Sequence, residues 1–246
     1  MKTALALSLA VALAGCNAIT GSSDKASPTS TAAAALAPGG PGGQAAGQSR
    51  PAPAGRWNIL EAKTLPGVSY TGTVDVTPRG DMFDLAWKTT GGSYAGLAFL
   101  EGNRLLAGWG PTGNFGVVVY RIHADGSLDG RWSTPEAQGQ VGTERAEQGK
   151  PGTLEGLYQV TGNNPGGKGS YKGTLSIAKN GEVYDLSWSV GATYAGVGLR
   201  SGDTLAVGWG IGGGFGVVEY TLAGDKAEGR WTLPKASKVG TERLGR

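Results

Sequence analysis

The chain has 246 residues, with 22 Lys and Arg against 19 Asp and Glu, one cysteine and one histidine. Those counts exclude an internal disulfide and leave too few Cys and His for the usual zinc ligand set. Basic residues are interspersed with acidic ones, so no single charged face of the kind that grips nucleic acid is expected.

Residues 1–15, MKTALALSLAVALAG, place Lys2 ahead of an apolar run from Ala4 to Ala14, with small residues just before Cys16. This is the layout of an export signal. The run falls short of the roughly 20 apolar residues that cross a bilayer, so a spanning helix is not expected. Leu13-Ala14-Gly15-Cys16 resembles the lipobox of bacterial lipoproteins. The resemblance implies removal of the signal and lipidation of Cys16, which anchors the chain to a membrane. Asn17, where aspartate would mark retention at the inner membrane, implies an outer-membrane location in the cell envelope, on its periplasmic or surface face.

Residues 16–54 are built almost wholly from Ala, Ser, Thr, Gly, Pro and Gln. Such a segment cannot bury enough apolar area to offset its ordering entropy, which predicts a disordered tether with a mean reach of roughly 35 Å.

Beyond the tether the chain is a duplication, 55–146 and 151–246. Tyr70-Thr-Gly-Thr answers Tyr171-Lys-Gly-Thr, and Phe83-Asp-Leu-Ala-Trp87 answers Tyr184-Asp-Leu-Ser-Trp188. Tyr94-Ala-Gly96 pairs with Tyr194-Ala-Gly196, Gly108-Trp-Gly110 with Gly208-Trp-Gly210, and Phe115-Gly-Val-Val118 with Phe215-Gly-Val-Val218. Both copies close on Val-Gly-Thr-Glu-Arg.

Each copy contains eight short strand-like runs, starting near 55, 70, 82, 94, 104, 115, 127 and 140 in the first. Tyr171, Gly173, Leu175 and Ile177 alternate with polar residues, the period of a strand with one buried face. Val218 and Tyr220 take the inner face because charged Glu219 lies between them. Lys179-Asn-Gly181, Ser201-Gly-Asp203 and Asp125-Gly126 supply tight turns. The predicted fold is all-β: two tandem eight-stranded up-and-down antiparallel β-barrels, one per repeat, with a small sandwich as the alternative. Glycines beside aromatics favour the barrel, since they let strands bend and leave room for a neighbouring ring.

The pattern Tyr-x-Gly-x-Leu-x-Ile, Tyr-Asp-Leu-x-Trp, Gly-Val-Val-x-Tyr and Gly-Thr-Glu resembles small exported bacterial proteins labelled fibronectin-binding proteins. The second copy matches best; the first departs at Phe83, Ala98 and Ala107. More remotely, the meander is similar in architecture to the avidin and lipocalin barrels. The first resemblance implies a binding or adhesion role, and neither transfers a ligand contact.

Few residues offer chemistry. Gly108-Trp-Gly-Pro-Thr-Gly113 and Gly208-Trp-Gly-Ile-Gly-Gly213 have dinucleotide-motif spacing, but each precedes a strand-like Phe-Gly-Val-Val and not a helix. Glycine-rich hairpin loops are expected instead. His123 has Ala223 as its counterpart, so no catalytic triad can recur in both copies. The carboxylates common to both copies are Asp84 and Asp185, Glu144 and Glu242, and the acidic pair Asp129 and Glu228. They are expected as surface charges, with Glu144-Arg145 and Glu242-Arg243 paired to neighbours at a barrel end.

The short strands and many large rings predict lumens filled by side chains. If a pocket exists, Tyr94, Trp109 and Tyr120, with Tyr194, Trp209 and Tyr220, are the residues expected to line it. The sequence therefore predicts a non-catalytic, lipid-anchored envelope protein without cofactor or metal, whose tandem barrels offer a binding or adhesion surface to a host or matrix protein. A carrier of a small apolar ligand in the lumen is the alternative, and a hydrolase using carboxylates alone the weakest reading.

Overall fold

In the computed structural model the described residues are 52–111 and 113–246. The signal 1–15, Cys16 and the tether through residue 51 lie outside them.

Sixteen strands carry the described chain. The first repeat supplies β1 (Gly55–Lys63), β2 (Gly72–Arg79), β3 (Met82–Thr89), β4 (Gly92–Glu101), β5 (Arg104–Gly110), β6 (Phe115–Ile122), β7 (Leu128–Ser133) and β8 (Gly142–Glu147). The second supplies β9 (Gly156–Asn163), β10 (Ser170–Asn180), β11 (Val183–Ser189), β12 (Thr193–Ser201), β13 (Thr204–Gly210), β14 (Gly216–Ala223), β15 (Lys226–Thr232) and β16 (Gly240–Gly245). All strand pairs are antiparallel, and they close into two barrels of eight strands each.

The barrels do not follow the repeats. One runs β1-β16-β15-β14-β5-β4-β3-β2 and the other β10-β11-β12-β13-β6-β7-β8-β9. We call them barrel A and barrel B. The expected domains 55–146 and 151–246 are therefore corrected: barrel A joins β1–β5 of the first repeat to β14–β16 of the second, and barrel B is built from β6–β13.

The physical reason lies in the duplication itself. β14 offers β5 the same inward Val-x-Tyr that β6 would, and the registers Leu105↔Tyr220 and Leu205↔Tyr120 are equivalent across the two copies. Exchanging near-identical elements costs little ladder energy. The glycine-rich connections expected as hairpins instead cross between barrels, since β5 and β6 belong to different barrels, as do β13 and β14. β5 passes so close to the start of β6 that a Cβ on Gly108 would stand 2.2 Å from the Gly116 carbonyl oxygen, and a Cβ on Gly208 1.9 Å from that of Gly216. Only glycine fits at either place.

Between the barrels lies a seam of outward side chains. Leu97, Phe99, Leu106, Phe115, Val117 and Val119 pack with Val197, Leu199, Ala206, Phe215 and Val217, all nearly inaccessible to water. Strands β4–β6 and β12–β14 are thus buried on both faces. Glu219, in the position of Val119, is buried at the edge of this seam and does not reach solvent. It accepts from Arg104 at 3.2 Å, Arg230 at 2.9 Å and Ser201 at 3.0 Å. Arg104 also reaches Thr204 of barrel B at 2.7 Å.

Each barrel is closed at one end. Tethered residues 52–54 turn out to be held: Arg246 donates to the carbonyls of Ala52, Pro53 and Ala54, and its guanidinium lies 4.0 Å from the Trp57 ring centre. In barrel B, buried Leu154 accepts from the Tyr158 hydroxyl at 2.9 Å in the same place.

An isolated repeat, residues 52–150, would leave Leu97, Phe99, Leu106, Val117 and Val119 in water, an apolar patch of the kind monomers seldom expose. It should form a homodimer that rebuilds both barrels. Sedimentation equilibrium tests this; a folded monomer would contradict it.

Candidate functional site

The lower half of each lumen is packed and the upper half is not. In barrel A, Trp57, Leu85, Leu105, Leu222 and Leu244 fill the space above the closed end. Above them a cup of about 180 Å³ opens toward the β1–β2, β3–β4 and β15–β16 loops. Barrel B has an equivalent cup of about 230 Å³. The expectation of filled lumens is corrected accordingly, and the cause is the shape of the large side chains. The rings in the upper half lie flat along the walls because neighbouring strands carry glycine beneath them. A Cβ on Gly96 would stand 2.5 Å from the Trp87 ring, and one on Gly216 would stand 2.5 Å from the Trp109 ring.

All six residues singled out from the sequence face these cups, but in crossed combinations. Tyr94 and Trp109 share the barrel A cup with Tyr220, while Tyr120 shares the barrel B cup with Tyr194 and Trp209. The strand exchange does this, since β6 and β14 have traded barrels.

Sequence reasoning missed four further positions per cup: Tyr70, Trp87, Trp231 and Glu242 in one, and Tyr171, Trp188, Trp132 and Glu144 in the other. Their recurrence in both repeats was visible, but nothing local told an inward ring above the core from one within it. The chain has seven tryptophans, and all but Trp57 line a cup.

The rings form an edge-to-face series around the wall. Tyr94 meets Trp109 at 5.3 Å between ring centres, Trp109 meets Trp231 at 6.1 Å, and Trp231 meets Tyr70 at 6.5 Å. In barrel B the same series runs Tyr194–Trp209 at 5.3 Å, Trp209–Trp132 at 5.8 Å and Trp132–Tyr171 at 6.1 Å. Perpendicular contacts of this kind add to plain burial and hold each ring in one orientation.

A carboxyl group sits in each wall. Glu144 accepts hydrogen bonds from the Tyr120 hydroxyl, from the Tyr171 hydroxyl at 2.8 Å and from the Trp188 indole at 3.1 Å. Glu242 accepts from Tyr220 and from Tyr70 at 2.9 Å, while the Trp87 indole donates to the Tyr220 hydroxyl at 3.0 Å. Neither is the surface charge expected: Glu144 is 6% exposed and Glu242 4%. Nor do they pair with the arginines that follow them, because successive residues of a strand point to opposite faces. Arg145 reaches Asp129 and Glu147 outside the barrel, and Arg243 reaches Glu61. Asp84 and Asp185 do lie outside, held by Arg79 at 2.6 Å and Asn180 at 2.9 Å. His123 bonds Asp129 at 2.7 Å on the exterior.

Burial raises both cup carboxyls above the usual glutamate value, outweighing the hydroxyl and indole donors that favour the ion. Burial and the adjoining carboxylate also raise all four tyrosines, Tyr70, Tyr120, Tyr171 and Tyr220, so these remain hydroxyl donors throughout the working pH range. The indole N–H groups of Trp132 and Trp231 are buried without an acceptor, leaving one unanswered donor in each wall. Among the described residues no Lys or Arg lines either cup.

A carboxyl whose pKa is higher folded than unfolded binds its proton more tightly in the native state. Its contribution to stability is complete below the unfolded value of 4.5 and is lost as pH rises through the folded value. Replacing Glu144→Gln and Glu242→Gln together should remove this component. The native protein should lose more Tm than the double variant as pH rises from 4.5 toward neutrality; parallel curves would contradict the assignment.

Comparison of the chain with known protein families, with characterised proteins and with solved structures gives no match, so the two cups are interpreted from their own geometry.

Proposed function

We propose that this protein is a non-catalytic binding protein that holds one small molecule in each barrel lumen. The observation that carries the reading is the pair of equivalent cups, each walled by three tryptophans and three tyrosines above a packed floor. A side chain that served only to fill the barrel would leave no space above it. Concave, mostly apolar pockets with a few fixed polar groups are where small ligands bind. At about 180 and 230 Å³ the cups suit molecules below drug size.

Among the described residues each cup has one carboxyl group, where the arrangement of a glycosidase uses two. The adhesion reading has less support. The large apolar side chains exposed among the described residues are Leu60, Val68, Leu157 and Ile211, spread over separate strands and loops.

The six lumenal tryptophans allow a direct test, with Trp57 as the internal control. In protein labelled with 5-fluorotryptophan, some member of a panel of small cations, anions and neutral compounds should shift the lumenal 19F resonances saturably, at two molecules per chain, and leave Trp57 in place. Val118→Phe and Val218→Phe, which put a ring into the cups, should abolish the response. Failure of every compound class to move these resonances would overturn the lumenal reading.

We propose further that the chain is held at the outer membrane through lipid on Cys16, on the strength of the lipobox-like Leu13-Ala14-Gly15-Cys16. Metabolic labelling with radioactive palmitate should mark the native chain and not Cys16→Ser; equal labelling of both would refute the anchor.

A further inference from the structure

Each cup combines two features that together select a charge. The first is a carboxyl group with no cationic side chain to answer it: Glu144 and Glu242 take part in none of the ion pairs among the described residues, and no Lys or Arg lines either cavity. The groups facing Glu144 are the hydroxyls of Tyr120 on β6 and Tyr171 on β10 and the indole of Trp188 on β11. Those facing Glu242 are the hydroxyls of Tyr220 on β14 and Tyr70 in the β1–β2 loop. Indole N–H only donates, and tyrosine hydroxyl donates readily, so the shell is arranged to stabilise a negative charge. An ionised carboxylate at that depth is costly without a counter-ion.

The second feature is the series of perpendicular rings. Aromatic π-surface attracts a positive charge placed within about 6 Å, and such attraction grows where water is excluded. Neighbouring ring centres lie 5.3 to 6.5 Å apart around each wall, so a guest of this size touches several rings at once.

We infer that each cup takes a small organic cation, with its charged head opposite Glu242 in barrel A and Glu144 in barrel B and its apolar substituents against the tryptophan and tyrosine rings. The inference rests on the lumen being the binding site. The head group is an alkylated ammonium. Three of the roughly four acceptor positions of Glu144 are already filled, so the guest is held by charge and ring contact more than by its own N–H donors.

Choline and its neutral isostere 3,3-dimethylbutan-1-ol differ in charge and scarcely in shape, so titrating both into the native protein isolates the claim. Lumenal tryptophan resonances should report choline binding at least tenfold tighter than the alcohol, at two sites per chain. In the protein carrying both Glu144→Gln and Glu242→Gln, choline should weaken at least tenfold and the alcohol should be unchanged. Equal affinity for the two compounds, or no choline binding at millimolar concentration, would overturn the cation assignment. If the alcohol or other neutral compounds still occupy the cups, the lumenal reading survives that result. If no compound of any charge enters, both fail.

Discussion

The rest of the molecule depends on the backbone ladders that join the two repeats, β5 with β14 and β1 with β16 in barrel A, β6 with β13 and β8 with β9 in barrel B. They make the repeats interdependent, because neither barrel closes without strands from both. They bring the outward faces of β4–β6 and β12–β14 together, so that side chains a free barrel would expose become a third core. They also assemble each cup from two sources. Tyr70, Trp87, Tyr94 and Trp109 arrive from the first repeat, while Tyr220, Trp231 and Glu242 arrive from the second. A change that destabilised the crossing at Gly108 or Gly208 would therefore disturb both cups, although neither glycine lines one.

Within each barrel the balance between filling and opening is set by where glycine falls. Low in the lumen, aliphatic residues such as Leu85 and Leu105 point across the axis and meet in the middle. Higher up, Trp87 lies over Gly96 and Trp109 over Gly216, and the rings line the wall without reaching across it. The cost of this arrangement is an incomplete core, and the carboxyl group adds to the cost. Burial raises both pKa values, so each carboxyl contributes less to stability at neutral pH than below its unfolded value. Their presence in both lumens fits the binding role proposed above.

The sequence displayed much of the fold. Sixteen strands, the duplication and two eight-stranded barrels follow from period-two alternation and from turns such as Lys179-Asn-Gly181. The exchange stayed hidden because β6 and β14 carry the same inward Val-x-Tyr, so hydrophobic pattern cannot say which one β5 prefers. A clue was present all the same: Phe115-Gly-Val-Val-Val-Tyr120 does not alternate, and unbroken apolar runs mark strands covered on both faces. For the site, Tyr94, Trp109, Tyr194 and Trp209 were legible through their glycine neighbours, and Tyr220 with its counterpart Tyr120 through the alternation around Glu219. Glu144 was not, because a charged Glu-Arg pair near a strand end reads as two surface residues bonded to neighbours, whereas alternation along β8 turns Glu144 inward and Arg145 outward. Open space above the floor could not be read at all, since it depends on ring orientation and not on residue type.

The strand exchange can be observed directly by NMR on the full chain, through backbone nuclear Overhauser contacts between residues opposite one another in neighbouring strands. The account predicts contacts between Leu105 and Tyr220 and between Leu205 and Tyr120. Contacts between Leu105 and Tyr120 and between Leu205 and Tyr220 would mean that each repeat closes on itself, and the composite cups would not exist.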